Sequence, residues 1–309
     1  MTLIKPNIQR KLIWNIYSLI CICLALLMIF FGAAIKESIY NGLLFSLTTI
    51  IPTLFPFFIL SELWTAVFYV DPDGWICRAF ERIFRVNGCA ITAFISGFIC
   101  GFPIGVKVLS ELYNAGRITK AEFEYLSGFV NNPSCAFVIS GVGAGIYKDT
   151  KIGVLLYLTI LLSSVITGVF FRPQSKSTYK TAENPRQSFD FVQSIKNAGK
   201  TSINVISCII FFSGLIGFIS AIVKNEPFVN AVSLTLEVSN AVEIISNAKY
   251  LTKSSRLILT AFALGFSGFS VHMQAFGFMP KEISKIKYLL MKTFQGVLSS
   301  LLVAIFLLI

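Results

Sequence analysis

The stretch CAITAFISGFICGFPIGVKVLSELYNAG, Cys89–Gly116, decides the fold class. Gly97, Gly101, Pro103 and Gly105 interrupt an apolar run that carries no charged residue from Val86 to Val106. An unbroken membrane helix accommodates that density of Gly and Pro poorly, because glycine weakens the helix and proline removes a hydrogen bond. The pattern predicts a re-entrant hairpin. One half-helix enters, the chain turns near Gly101–Gly105, and a second half-helix leaves carrying Lys107 and Glu111. Irregular backbone at membrane depth persists only where protein or a wet cavity covers it.

The surrounding sequence places this hairpin in a polytopic membrane protein. Of 309 residues, 55% are hydrophobic and 13% charged, against roughly 25% charged in a soluble domain. Charge-free windows run over Leu12–Ile35, Ser38–Ser61, Tyr125–Tyr147, Ile152–Phe171, Thr201–Val223, Leu257–Pro280 and Thr293–Ile309. Most reach the length of about 20 residues that a spanning helix requires. The net charge of +11 is read as basic loops retained in the cytoplasm, and not as nucleic-acid binding. The expected fold class is an all-α polytopic membrane protein of two related, inverted repeats with re-entrant hairpins and broken helices. Its location is multi-pass in a membrane, with the lipid bilayer as its surroundings.

Four segments are expected. Residues 1–36 form an N-terminal transmembrane helix, uncleaved because its apolar run is too long for a signal peptide. Residues 37–171 form a first repeat. Here Pro52 and Pro56 kink or break a helix near Ile51–Pro56, and Asp71–Asn87, with Arg78, Arg82 and Arg85, lies along the membrane surface. Thr119 opens a helix with Glu122 as its capping-box partner, and that helix breaks at Asn131-Asn132-Pro133-Ser134 before Cys135–Tyr147. Residues 172–200 are a polar cytoplasmic connection, and residues 201–309 a second repeat. In that repeat Pro227–Asn247 lies flat and Leu257–Pro280 makes a second hairpin, turning at Ser267–Ser270.

The duplication rests on a match between TAFISGFICGF (Thr92–Phe102) and TAFALGFSGF (Thr260–Phe269). Paired interrupted segments in two halves point to a transporter with its site near the midplane. They also suit helices that pack closely through small residues. Inverting the second half leaves Lys249, Lys253, Arg256, Lys281, Lys285 and Lys287 outside, against the positive-inside rule.

Several motifs together resemble one family. They are LTTIIPTLFPFFILSEL (Leu47–Leu63), SGFICGFPIGVK (Ser96–Lys107), NNPS (Asn131–Ser134), LEVSN (Leu236–Asn240) and GFSVHMQ (Gly268–Gln274). The combination resembles the YlbJ-type sporulation integral membrane proteins of the nucleoside-recognition, or Gate, domain group, which are similar to concentrative nucleoside transporters. That resemblance covers roughly Ile39 to the C-terminus. It implies a sporulation-associated transporter in the bacterial cell membrane or forespore membrane for a small anionic aromatic solute, best identified as dipicolinate, working by alternating access. The alternatives are a non-transporting scaffold of spore formation and a nucleoside-type transporter.

A planar dianion needs partial positive charge that is cheap to bury, and the N-terminal ends of broken helices supply it. The candidate substrate residues are Gly101, Phe102, Pro103, Gly105, Lys107, Asn131, Asn132, Ser134, Ser270, His272 and Gln274. Lys107 either pairs with a carboxylate or snorkels to the interface. Asn131, Asn132 and Ser134 either bind solute or satisfy freed backbone. His272 is either a hydrogen-bonded packing residue or a proton relay. Glu237, Ser239 and Asn240 are candidates for coupling to Na⁺ or H⁺, the alternative being a solvated surface. Phe94, Phe98, Phe102, Phe266 and Phe269 flank the two turns, where they either stack on an aromatic solute or pack helices.

Enzyme chemistry finds no support. The sequence has no HExxH, P-loop or Rossmann fingerprint, and no nucleophile–His–acid set. The seven cysteines make no CxxC pair and His272 completes no zinc site with them. No catalytic residue, metal or cofactor is therefore assigned. An oligomer is compatible with the sequence.

Overall fold

The computed structural model describes residues 29–67, 74–174 and 190–308, with scattered helical positions between 15 and 26. The N-terminal helix expected over Leu12–Ile35 thus lies partly outside the described residues, and its described positions are helical apart from a turn at Phe31. The described chain is helical throughout, with no strand. Among the described residues five helices are long and apolar enough to cross a bilayer: Gly32–Leu60, Thr150–Phe170, Phe191–Ile222, Lys253–Phe278 and Lys285–Phe306.

The first of these comprises α1 (Gly32–Phe45), a π-helical stretch Ser46–Ile50, and α2 (Ile51–Val67). The break expected at Ile51–Pro56 is therefore a widened turn just before Pro52, and the helix continues past Pro56. A π-turn gives the proline ring room beside the carbonyl four residues back without ending the helix. Ser46, Thr48 and Thr53 donate their hydroxyls to the carbonyls of Gly42, Leu44 and Thr49, at 2.7, 2.8 and 2.6 Å.

Helix α3 (Trp75–Phe84) is the basic amphipathic segment. It meets the next apolar stretch at 98° and buries Cys77, Phe80 and Phe84. A helical hairpin forms at the expected turn, from α4 (Ile91–Ile99) and α5 (Ile104–Asn114) packed side by side. Its arms approach closely because Gly97 and Gly105 face each other, and a Cβ on either would overlap the Val130 carbonyl oxygen. That carbonyl ends α6 (Lys120–Val130), which Thr119 and Glu122 open with the expected capping box. Beyond the Asn131–Ser134 break, the chain resumes as a π-helix, Ala136–Ile146. Helix α7 (Thr150–Phe170) follows.

The second half departs from expectation in three places. Helix α8 begins at Phe191, so part of the polar connection assigned to residues 172–200 is helical. The cause is Asp190, whose carboxylate accepts from the Gln193 amide at 3.0 Å and sets the start ten residues before the apolar window. The segment Pro227–Asn247 does not lie flat. It forms α9 (Glu226–Leu236) and α10 (Val238–Asn247), which pack on each other about a buried break at Glu237. The second hairpin is therefore here. Leu257–Pro280 is instead a broken span, α11 (Lys253–Phe266) and α12 (Gly268–Phe278), interrupted by left-handed residues at Ser267 and Gly268. Glycine and small polar residues unwind a helix in either setting. Only the packing of the two arms tells a hairpin from an interrupted span.

Helix α13 (Lys285–Phe306) completes the chain and packs against α11, α6 and α7. The order span, hairpin, broken helix, span thus occurs twice. The matched stretches Thr92–Phe102 and Thr260–Phe269 nevertheless fall in elements of different kind, one in a hairpin and one in a broken span.

Candidate functional site

Four half-helices begin around one buried chamber. Helix α5 starts after the Gly101–Pro103 turn, the π-helix after Ser134, α10 after Glu237, and α12 after Ser267. The chamber is lined by Gly101, Phe102 and Ser134 from the first half, and by Glu237, Ser239 and Gln274 from the second. Ile50, Leu54, Phe137, Val205, Ile209 and Val271 provide apolar walls. Its empty space totals about 390 Å³, opening included, and its centre has room for little more than a water.

Each break is seated against a glycine turn, which is why these positions converge. A Cβ on Gly101, where φ is +82°, would lie 2.7 Å from the Ser134 nitrogen. One on Gly268, at φ +74°, would lie 3.2 Å from the Val238 nitrogen and 3.4 Å from that of Glu237. Glycine at both places lets backbone meet backbone.

The Ser134 hydroxyl accepts from the Phe137 amide at 3.1 Å. Glu237 caps α10, its carboxylate accepting from the Asn240 amide at 2.7 Å. Among the described residues no Lys or Arg pairs with Glu237, although it is 1% exposed. Phe102 and Phe137 meet edge to face at 6.3 Å on the chamber wall. The Gln274 Oε1 is buried with no partner, while its Nε2 donates to Ser270 Oγ at 3.5 Å.

Other expected residues sit elsewhere. Pro103 begins α5, and Gly105 serves the helix contact with Val130. Lys107, one turn into α5, is half-buried and does not line the chamber. Phe94 and Phe98 pack on each other at 5.0 Å, and Phe266 and Phe269 pack edge-on to His272 at 4.8 and 5.7 Å. Asn240 donates to Ser213 Oγ at 2.8 Å and lines a neighbouring open groove of about 980 Å³ with Ser38, Asn41, Thr48 and Glu243. Ser239 and Asn240 are adjacent, so α10 separates chamber from groove by one residue.

Asn131 and Asn132 turn away from the chamber toward α13. Asn131 Nδ2 donates to the Tyr288 hydroxyl at 2.9 Å, and His272 Nδ1 lies 3.0 Å from the same oxygen. Asn132 Nδ2 donates to the Phe129 carbonyl at 2.7 Å, and its Oδ1 accepts from Gln295 Nε2 at 2.7 Å. Lys292 Nζ donates to the Asn131 carbonyl and to Gln295 Oε1, both at 2.9 Å. Tyr288, Lys292, Gln295 and Ser299 are all fully buried. Sequence reading missed this group. Its signal is the spacing, which puts four polar residues on one face of an otherwise apolar helix.

One curated relative matches the chain. The chain is 25% identical to this relative, the sporulation integral membrane protein YlbJ of Bacillus subtilis (strain 168), across 86% of this chain and 76% of the relative. No family model matches, so the Gate-domain affiliation stays an expectation. No solved structure matches.

Proposed function

We propose, from the premise that this chain is a YlbJ-type sporulation integral membrane protein, that it carries a small aromatic dianion across the membrane by alternating access. Dipicolinate is the best identification of that solute, and it comes from the family resemblance. The supporting observation is the convergence of four half-helix N-termini on one chamber. Helix dipoles there favour negative charge without a buried cation, and the Phe102–Phe137 pair offers ring faces to a planar guest.

The chamber's single carboxylate, Glu237, opposes an anion when ionised and can donate to it when protonated. Solute entry is thereby linked to protonation of Glu237, making H⁺ the favoured coupling ion over Na⁺. The groove beyond Asn240 is the natural approach, with the Asn240–Ser213 hydrogen bond between groove and chamber. A closed chamber fits a carrier between its two openings.

The filled centre equally favours a second reading, a static scaffold in spore formation. Uptake of labelled dipicolinate into proteoliposomes, under an inward proton gradient, separates the two. Uptake above empty vesicles supports the carrier, and uptake equal to empty vesicles under proton and sodium gradients supports the scaffold.

A further inference from the structure

Lys292 is a fully buried lysine in a span, held by neutral oxygens alone. Among the described residues no carboxylate pairs with it. Its ammonium touches the Asn131 carbonyl and Gln295 Oε1 at 2.9 Å each. Asn131 follows the last residue of α6 and has left helical geometry, at φ −89° and ψ 89°. Its carbonyl therefore points out of the negative end of a half-helix.

Gln295 is oriented by its Nε2 bond to Asn132 Oδ1, which turns its oxygen toward the lysine. Asn131 Oδ1 is also buried and has no hydrogen-bond partner. An unwound carbonyl at a half-helix C-terminus, with amide oxygens alongside, is the oxygen set that holds alkali cations in broken transporter helices.

We propose that the break in α6 is a cation site whose occupant is the protein's own Lys292 ammonium, fixed there in place of free sodium. The lysine docks α13 onto the break, and the chain needs no soluble cation at this position. This inference does not rest on the transport reading, since its readout is cation binding by the purified protein.

The test is thermal unfolding of the full chain in detergent, in sodium, methylammonium or choline chloride at equal ionic strength. The wild-type midpoint should be the same in all three. Lys292→Ala should unfold several degrees lower in choline and regain much of that loss in sodium or methylammonium, which enter the vacated site. Lys292→Met, which fills the space with an apolar chain, should show no cation response. The proposal is overturned if wild type is stabilised by sodium as strongly as Lys292→Ala, or if Lys292→Ala responds to neither cation. Should Lys292→Ala not fold in any of the three salts, Lys292→Ser decides. Its hydroxyl leaves the Asn131 carbonyl and Gln295 Oε1 in place, so sodium or methylammonium should raise its midpoint over choline, and no rise overturns the proposal.

Discussion

The nitrogen of Ser134 occupies the space directly beside the missing side chain of Gly101, 2.7 Å from where a Cβ would stand. The hairpin turn and the break of the following helix are thereby one structural unit, and the chamber wall has no slack there. Gly101→Ala should separate turn from break and add left-handed strain of roughly 1 kcal/mol or more. Dipicolinate uptake should fall by about tenfold or more while the protein still inserts and purifies. Unchanged uptake would remove this turn from the site.

Glu237 is the carboxylate of the chamber and the cap of α10. If an anion enters only when this carboxyl is protonated, uptake at fixed solute should rise as pH falls through its titration. Glu237→Gln imitates the protonated form, so it should retain uptake and flatten the pH profile. Glu237→Ala should also lose the cap, costing about 1 kcal/mol. A Gln variant with the wild-type pH profile would exclude this carboxyl as the coupling group.

Tyr288 holds two partners, Asn131 and His272, through one hydroxyl. Tyr288→Phe leaves a buried amide and a ring nitrogen unpaired, which costs roughly 1–3 kcal/mol for each group. The expected result is an unfolding midpoint lower by several degrees. His272→Phe made in the same background should then cost less than in wild type, because the shared bond is already gone.

Groove and chamber should differ in access. In a cysteine-free background, Asn240→Cys should react quickly with a water-soluble maleimide, because the residue faces the open groove. Ser239→Cys, facing the closed chamber, should react slowly. Solute should change the Ser239→Cys rate if the chamber opens. Equal rates at both positions would mean that α10 is no barrier.

The first hairpin was legible because Gly97, Gly101, Pro103 and Gly105 lie too close together for any continuous helix. The Thr119–Glu122 capping box and the Asn131–Ser134 break were legible for similar local reasons. The second hairpin was not. Pro227–Asn247 contains no glycine, and its turn is a single extended residue at Glu237. The glycine-rich Gly265–Ser270 stretch drew the hairpin reading to itself instead, although it interrupts a span that continues. Lys107 attracted attention by following a turn, whereas Lys292, hidden at the edge of an apolar window, is the lysine that the fold buries completely.

Sequence alone determined that this chain lives in a bilayer and that its backbone breaks near Gly101, Asn131 and Ser267, since transfer to hydrocarbon and helix continuity depend on neighbouring residues. Tertiary structure alone decided which breaks fold back, which continue, and which meet around Gly101, Ser134, Glu237 and Gln274. Those outcomes depend on packing between elements, from Gly97 with Gly105 to Lys292 with Asn131 across 161 positions, and no local pattern encodes it.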